Sequence, residues 1–376
     1  MALVVEPTQA TLYYNGTETF ARNEATHDPD PFDGALMIGP DAQGGRDLTG
    51  TVDDVRFYNK ALSASELLAV MRGDPLLAWN PSPAPDEVVD IRTISSLSWS
   101  AGDAAASHNV YFGSDGSGVA AAGTDAPEYQ GNQAGTVFSV AGLVALGGGD
   151  YFWRIDEVAA DETVQTGTVW KFTSPAYLLV DDFESYTSEV GSRVFEVWVD
   201  GVGFTQPVET PGNDTGALVG HDIWTAGTPF TTIMETSIVH GGGQSMPLYY
   251  DNTEPPYRSE ADRTWLVAEN WQVEGVTDLR LYVRGESDND AAALYVVIED
   301  SAGNAAVVPH SDAAATTATD WIEWKIPLAD LTAAGVNIAS VRKMSIGVGS
   351  RTAPTPGGAG VIYVDDIRVT AAAAGE

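Results

Sequence analysis

The chain has 376 residues, enough for two to four domains with cores of their own. Acidic residues outnumber basic ones 53 to 18, a formal charge of −35 that repels nucleic acid and anionic lipid and leaves many oxygens for hard cations. With no cysteine, disulfides and thiolate metal sites are excluded, and no apolar run reaches the length needed to span a bilayer.

The opening Met1-Ala-Leu-Val-Val-Glu6 lacks the basic region and long apolar core of a signal peptide, so we expect an export signal already removed or a piece of a longer chain. Residues 2–59 read as strands at Ala2–Pro7, Thr11–Asn15, Glu18–Ala21, Ala35–Ile38 and Thr51–Tyr58, with Asn15-Gly16 as a hairpin turn. One short helix is predicted near residues 63–71, with Ser63 as N-cap, Glu66 three residues on, and Gly73-Asp-Pro75 as the stop.

The run Leu12-Tyr-Tyr-Asn-Gly16, then Leu36-Met-Ile-Gly39, then Gly50-Thr-Val-Asp-Asp-Val-Arg-Phe-Tyr-Asn-Lys-Ala-Leu-Ser63 resembles the C-terminal part of bacterial laminin-G/concanavalin-like jelly rolls. The resemblance implies about half of such a sandwich in residues 1–74. Its apolar faces, with Leu12, Leu36, Ile38, Val52, Val55 and Phe57, are expected to need a cover: more chain, the neighbouring module or a second copy.

A Pro-rich joint at 75–85 opens a second module, 75–176. Its short strands at 96–100, 109–113, 137–140, 150–156 and 167–173 alternate so that Leu97 and Trp99, and Tyr151, Trp153 and Ile155, point into a core. This pattern resembles a fibronectin type III-like module. Gly113-Ser-Asp-Gly-Ser-Gly118 reads as a turn, since it lacks a Lys-Ser/Thr ending and a following helix.

The third and largest module, 177–371, is bounded by two similar strands, Leu179-Val-Asp-Asp-Phe-Glu-Ser185 and Tyr363-Val-Asp-Asp-Ile-Arg-Val369. Between them lie strands at 245–250, 278–283, 293–299, 321–326 and 343–348, with a helical candidate at Leu328–Ala333. The order of motifs resembles carbohydrate-binding-module-like jelly rolls of modular surface proteins, planctomycete-type ones especially. Residues 372–376 read as a frayed tail. The fold class is therefore all-β, as tandem β-sandwich or jelly-roll modules.

Calcium is the sharpest chemical expectation, because it takes six to eight oxygens from carboxylates and carbonyls. Strand parity places Tyr363, Asp365, Ile367 and Val369 on one face, so Asp365 points inward, with Asp366, Asp182 and Glu184 nearby in the paired ends. The loop Val239-His-Gly-Gly-Gly-Gln-Ser-Met246, with Gly242 and Ser245, resembles the Gly-rich turn that offers carbonyl ligands in related jelly rolls. The alternative is an Asp365 that accepts backbone N–H bonds beside a solvated Asp366. The third copy, Asp53-Asp54, reads as a hydrogen-bonding pair.

No catalytic set emerges. His240-Gly-Gly-Gly243 imitates an esterase oxyanion loop, but no serine has glycine on both sides at the spacing of a nucleophile elbow. The five histidines share no metal-ligand spacing. For a sugar, aromatic faces with a polar rim are wanted, which points to Trp224, Tyr249, Tyr257 and Arg258. The sequence thus predicts a non-catalytic extracellular or cell-surface glycan-binding or adhesive protein with structural calcium, and no membrane insertion. The alternative is a subunit that self-assembles with other copies into a fibre or layer.

Overall fold

The computed structural model describes residues 1–14, 16–23, 52, 54–273 and 275–371. The expected strand at Ala35–Ile38, Asp53 and the tail 372–376 lie outside them. At the start, β1 (Ala2–Glu6), β2 (Gln9–Tyr14) and β3 (Thr17–Asn23) form one antiparallel sheet, Leu3 opposite Leu12 and Leu12 opposite Phe20. Gly16, at φ +76°, makes the β2–β3 turn and lies against Leu68. Helix α1 (Ala64–Arg72) has the expected box: Ser63 Oγ accepts from Glu66 N at 3.3 Å, and Glu66 Oε2 accepts from Ser63 N at 2.9 Å.

Among the described residues of Thr51–Tyr58, no strand forms, which corrects the sequence expectation. A strand needs a neighbour's N–H and C=O groups, and none of the described residues pairs with this stretch. Asp54 instead adopts φ 52° and holds Arg56 at 2.6 Å.

The next sheets comprise β4 (Trp79–Ser82), β5 (Glu87–Val88), β6 (Ser96–Ser100), β7 (Ala105–Gly113), β8 (Tyr129–Gln133), β9 (Val137–Ser139), β10 (Gly149–Ala159), β11 (Val164–Gln165) and β12 (Val169–Ser174). Their orders are β5-β12-β10-β7-β8, with β11 on β10, and β4-β6-β9. Leu97 and Trp99 from one sheet meet Trp153, Ile155 and Phe172 from the other in a common core, with Trp99 and Trp153 rings 6.3 Å apart. The expected inward sets, Leu97/Trp99 and Tyr151/Trp153/Ile155, are all buried.

A second helix, α2 (Gly116–Ala121), corrects the turn reading of 113–118. Its Asp115 cap accepts from Ser117 N at 3.0 Å, and the buried Arg154 donates to the carbonyls of Val119, Ala120 and Ala122 at 2.6–2.8 Å. A tertiary arginine thus closes the end of a helix whose Gly-Ser-Gly start is a poor helix former.

The rest is a jelly-roll sandwich: β13 (Tyr177–Asp181), β14 (Trp198–Val199), β15 (Gly203–Phe204), β16 (Thr210–Pro211), β17 (Ala217–Val219), β18 (Met246–Asp251), β19 (Arg258–Glu269), β20 (Val276–Arg284), β21 (Leu294–Asp300), β22 (Ala305–Pro309), β23 (Ile322–Pro327), β24 (Val341–Gly349) and β25 (Ala359–Ala371), with α3 (Leu328–Ala333) after β23. One sheet runs β17-β18-β25-β20-β23 with β13 also on β25; the facing sheet runs β14-β19-β24-β21-β22. Between them lies one continuous core that includes Trp198, Trp271, Leu281, Ile298, Met344 and Ile346. The two flanking strands read from the sequence do pair, β13 antiparallel to β25.

The parity expected for β25 is corrected by a bulge. Arg280 faces Arg368 but Tyr282 faces Asp365, so β25 carries one extra residue there, and Asp366 takes φ 47°. Core residues therefore change phase, from Ile362 and Val364 to Ile367 and Val369. Tyr363 and Asp365 point away from Val364, to the outer face of their sheet.

Candidate functional site

Two places gather polar side chains of the sandwich. The first is the glycine-rich loop laid over the outer face of the β25 sheet. Asp365, fully buried, accepts from His240 N (2.9 Å) and Gly241 N (3.1 Å) through Oδ2, and from Asp366 N (2.8 Å) through Oδ1. Burial pushes its carboxyl up to about 6, against the pull of these N–H groups. Asp366 holds the His240 ring at 2.6 Å and Arg368 at 2.5 Å, so it is paired and buried, in contrast to the solvated role considered above. The His240 ring also stacks on Tyr282 at 3.5 Å.

Glu184 grips the same loop from the other side, accepting from Gly243 N at 3.0 Å and Gln244 N at 3.1 Å. Asp182 turns inward on its own segment and accepts from Glu184 N at 3.2 Å; Ser245 Oγ donates to Ile238 O at 2.6 Å. Gly242 stands at φ +65°, and a Cβ there would lie 2.3 Å from the Glu184 carboxylate. Asp365, Asp366 and Glu184 thus meet at the loop that carries Gly242 and Ser245, while Asp182 stays on its own segment, and N–H donors take much of their oxygen capacity. Among the described residues, no three carboxylate or imidazole groups converge as a metal set.

A carboxylate that the sequence reading passed over is Asp181, which accepts from Tyr186 Oη (2.7 Å), Trp198 Nε1 (2.8 Å) and the Arg263 guanidinium. Its signal was present in the first Asp of the Asp-Asp pair, but only the sandwich brings Trp198 and Arg263 to it.

The four expected sugar contacts occupy different surroundings. Trp224 is 60% exposed, edge-on to Phe195 at 6.0 Å and beside the Arg193 guanidinium at 5.6 Å. Tyr249, on β18, spends its hydroxyl on His221 Nδ1 at 2.7 Å, while its neighbour Tyr250 is in the core. Tyr257 and Arg258 lie at the start of β19 in the other sheet, where Arg258 sits 3.7 Å from Glu260.

The second place is a cleft of about 390 Å³ on the outer face of the β19–β24 sheet, lined by Glu196, Val197, Val199, Pro211, Gly212, Asn213, Asp262, Thr264 and Lys343. Alternation builds its floor. Ala261 on β19 and Met344 and Ile346 on β24 face the core, so Glu260, Asp262 and Thr264 face outward opposite Gly347, Ser345 and Lys343. Asp262 receives Ser345 Oγ (2.5 Å), Lys343 Nζ (2.9 Å) and Asn213 Nδ2 (3.1 Å). Next to it, Tyr295 on β21 reaches across β24 to donate to Glu260 at 2.6 Å. Only glycine allows this, since a Cβ at Gly347 would stand 2.4 Å from the Tyr295 ring. Arg351 completes the Glu260 pairing at 2.9 Å.

The cleft wall comes from the 3-10 turn Val194–Glu196. Glu196 Oε2 accepts from Gly191 N (2.8 Å) and Arg193 N (3.3 Å), while Oε1 has no hydrogen-bond partner although the side chain is only 7% exposed. None of these cleft residues was singled out from the sequence. Arg258-Ser-Glu-Ala-Asp-Arg263 looks like a solvated strand face until the register with Lys343-Met-Ser345 is known.

Residues 1–68 match the concanavalin A-like lectin/glucanases superfamily, which covers 68 of 376 residues. No curated protein matches the sequence. Among solved structures, a family 30 carbohydrate-binding module is similar at 19% identity, over 38% of this chain and 75% of the module, with TM-score 0.29. A carbohydrate-binding module of the beta-sandwich superfamily is similar at 15% identity, over 77% of this chain and 96% of the other, with TM-score 0.31. An exo-beta-agarase is similar at 10% identity, over 42% of this chain and 23% of the enzyme, with TM-score 0.31. Likenesses at these scores decide nothing about ligand or activity.

Proposed function

We propose that the protein is a non-catalytic, extracellular glycan-binding or adhesive chain, and that its 177–371 sandwich takes a saccharide in the Asp262–Lys343 cleft. The supporting observation is the cleft itself: an open trough whose polar floor is held in fixed geometry by Ser345 and Asn213. Such preset donors and acceptors suit hydroxyl groups, because little side-chain entropy is lost on binding. The aromatic group Trp224, Phe195 and Phe204 begins one residue from Glu196 and would serve as an apolar sugar platform at the rim. In this reading residues 1–74 and 75–176 are further sandwich modules, and calcium reinforces the loop at Glu184 and Asp366.

Titration calorimetry of the whole chain with plant, algal and microbial oligosaccharides tests the site. Val197→Trp, which fills the trough without deleting a polar group, is expected to abolish binding. Binding that survives this change places the ligand elsewhere.

A second reading, self-assembly into a fibre or layer, is favoured by one observation. The N-terminal sheet leaves Leu3, Val5, Tyr14 and Phe20 more than half exposed, at 65%, 52%, 61% and 57%.

A further inference from the structure

The outer face of the β17-β18-β25-β20 sheet carries a row of side chains that neither the cleft nor the glycine loop uses. Leu218 on β17 stands opposite Tyr249 on β18. One step along, Pro247 on β18 stands opposite Tyr363 on β25, which in turn faces Arg284 on β20. Their chain neighbours Val219, Leu248, Val364 and Val283 are in the core, so the row points outward. We propose that this row is a second carbohydrate-binding face, which takes a neutral polysaccharide chain on the side opposite the cleft, so that one module bridges two chains. The bridging rests on the cleft reading above; the row rests on its own residues.

Tyr363 is only 7% exposed, yet its hydroxyl makes no hydrogen bond among the described residues and is not sealed from solvent. Burial, then Glu286, Glu235 and Tyr249 nearby, pushes its phenol up to about 12, so it keeps a proton to donate outward. Tyr249 offers the reverse. Burial holds His221 below its ordinary value and so neutral, with its Nε2 proton given to Glu235 at 3.0 Å. Nδ1 therefore accepts the Tyr249 hydroxyl at 2.7 Å, and Tyr249 Oη keeps lone pairs to spare. Arg284 gives Nε to Thr319 O and Nη1 to Glu286 at 3.0 Å, which leaves Nη2 as a donor without a partner among the described residues. Acceptor and donors are thus fixed on three neighbouring strands, beside the half-exposed Leu218. Sugar hydroxyls both donate and accept, and sugar C–H faces cover apolar surface, which fits this order. An anion gains little, because Arg284 is already paired with Glu286.

Strands ~4.8 Å apart make the row about 14 Å long, so a chain covers it better than one ring. Each polar contact adds at most about 10-fold, so short oligosaccharides stay in the cleft while a polymer gains on the row by rebinding along its length. The test is electrophoresis of the whole chain through gels holding neutral glucan, galactan or xylan polymers. Val197→Trp, with the cleft filled, is expected to remain retarded by a polymer that retards wild type. Adding Tyr363→Phe, which keeps the ring and removes the hydroxyl, should weaken this retention about 3-fold to 10-fold. Adding Leu218→Asp instead, at an exposed position that the fold tolerates, should weaken it similarly. Wild type should also cloud the polymer solution by bridging, and Val197→Trp should not. Retention lost with Val197→Trp alone overturns the second face and leaves the cleft standing. Retention within twofold in both added variants places the polymer elsewhere and overturns the row. Clouding that persists in Val197→Trp overturns the bridging. A wild type that binds oligosaccharides but no polymer removes this face alone, and one that binds neither removes both sites.

Discussion

Asp365 shows how one carboxylate can hold a loop and weaken a fold in the same act. Its three N–H donors favour the charged form, yet full burial outweighs them and lifts its carboxyl to about 6. In the unfolded chain an aspartate loses its proton near pH 3.9. Between those values the folded state holds a proton that the unfolded state has lost, so stability falls as pH rises from about 4 to about 6 and is level above. Asp365→Asn carries no such slope. The stability advantage of wild type over this variant should therefore shrink by about 2–3 kcal/mol between pH 4 and pH 7, measured by urea unfolding in chelator. A difference that grows with pH would mean that the carboxylate is charged in the fold and that its donors win over burial. The same experiment without chelator reports on calcium: a bound cation keeps Asp365 ionised and raises the melting temperature, by mass action on the folded state. An identical melt in calcium and in chelator, with no metal by elemental analysis, removes the cation from this loop.

At the scale of elements, Gly242 and Arg154 each close a segment that its own sequence leaves open. Gly242→Ala puts a methyl at φ +65° and into the Glu184 carboxylate, so it should cost about 1–3 kcal/mol by chemical unfolding and release the clamp on Gly243 and Gln244. An unchanged midpoint would show that Glu184 swings away freely. Arg154→Met deletes three bonds to the end of α2 and leaves Asp156 buried without its guanidinium, so a loss of about 3–5 kcal/mol is expected in the same assay. Such dependence on distant partners marks the limit of reading a sequence. The Trp99 and Trp153 core and the pairing of the two Asp-Asp strands were legible, because alternation with period two is a local signal. Helix α2 was not, since Gly-Ser-Gly is a poor helix former and Arg154 lies 33 or more residues further on. The phase change at Asp366 was hidden too, because a bulge is a property of two paired strands and β20 is some 80 residues away. For the same reason the carboxylates around the glycine loop could be named in advance, whereas the Glu196 wall and the Asp262–Lys343 floor could not.

Across the whole molecule the hydrophobic cores are separate, one drawn from Ala78 to Phe172 and the other from Leu178 to Val369. They meet where Ile91 and Leu146 pack on the larger core and where Arg92, fixed by Asp90, pairs with Glu269. Among the described residues, neither core uses one before Ala78. Among the described residues, the N-terminal segment meets the next module through Arg72, which pairs with Asp103 at 2.8 Å and lies over the Trp79 ring at 5.4 Å. With Asp103 in solvent, such an ion pair contributes about 1 kcal/mol, far less than the burial of Trp153 or Trp198 at ~25 cal/mol per Å² over the ~150–250 Å² of such a ring. Deleting residues 1–74 should therefore leave the melting transitions of the two later units within a few degrees of wild type, and leave glycan binding intact. What it should change is association. The removed sheet carries Leu3, Val5 and Phe20 on its surface and, among the described residues, two strand edges without a partner, and a second copy is the occupant that the self-assembly reading requires. Sedimentation of the whole chain and of the deletion, at matched concentration, decides between the two functional readings. Oligomers that vanish with residues 1–74 favour the structural subunit. A whole chain that sediments as a monomer, alone and with saccharide, leaves the N-terminal sheet no part in assembly and removes the self-assembly reading.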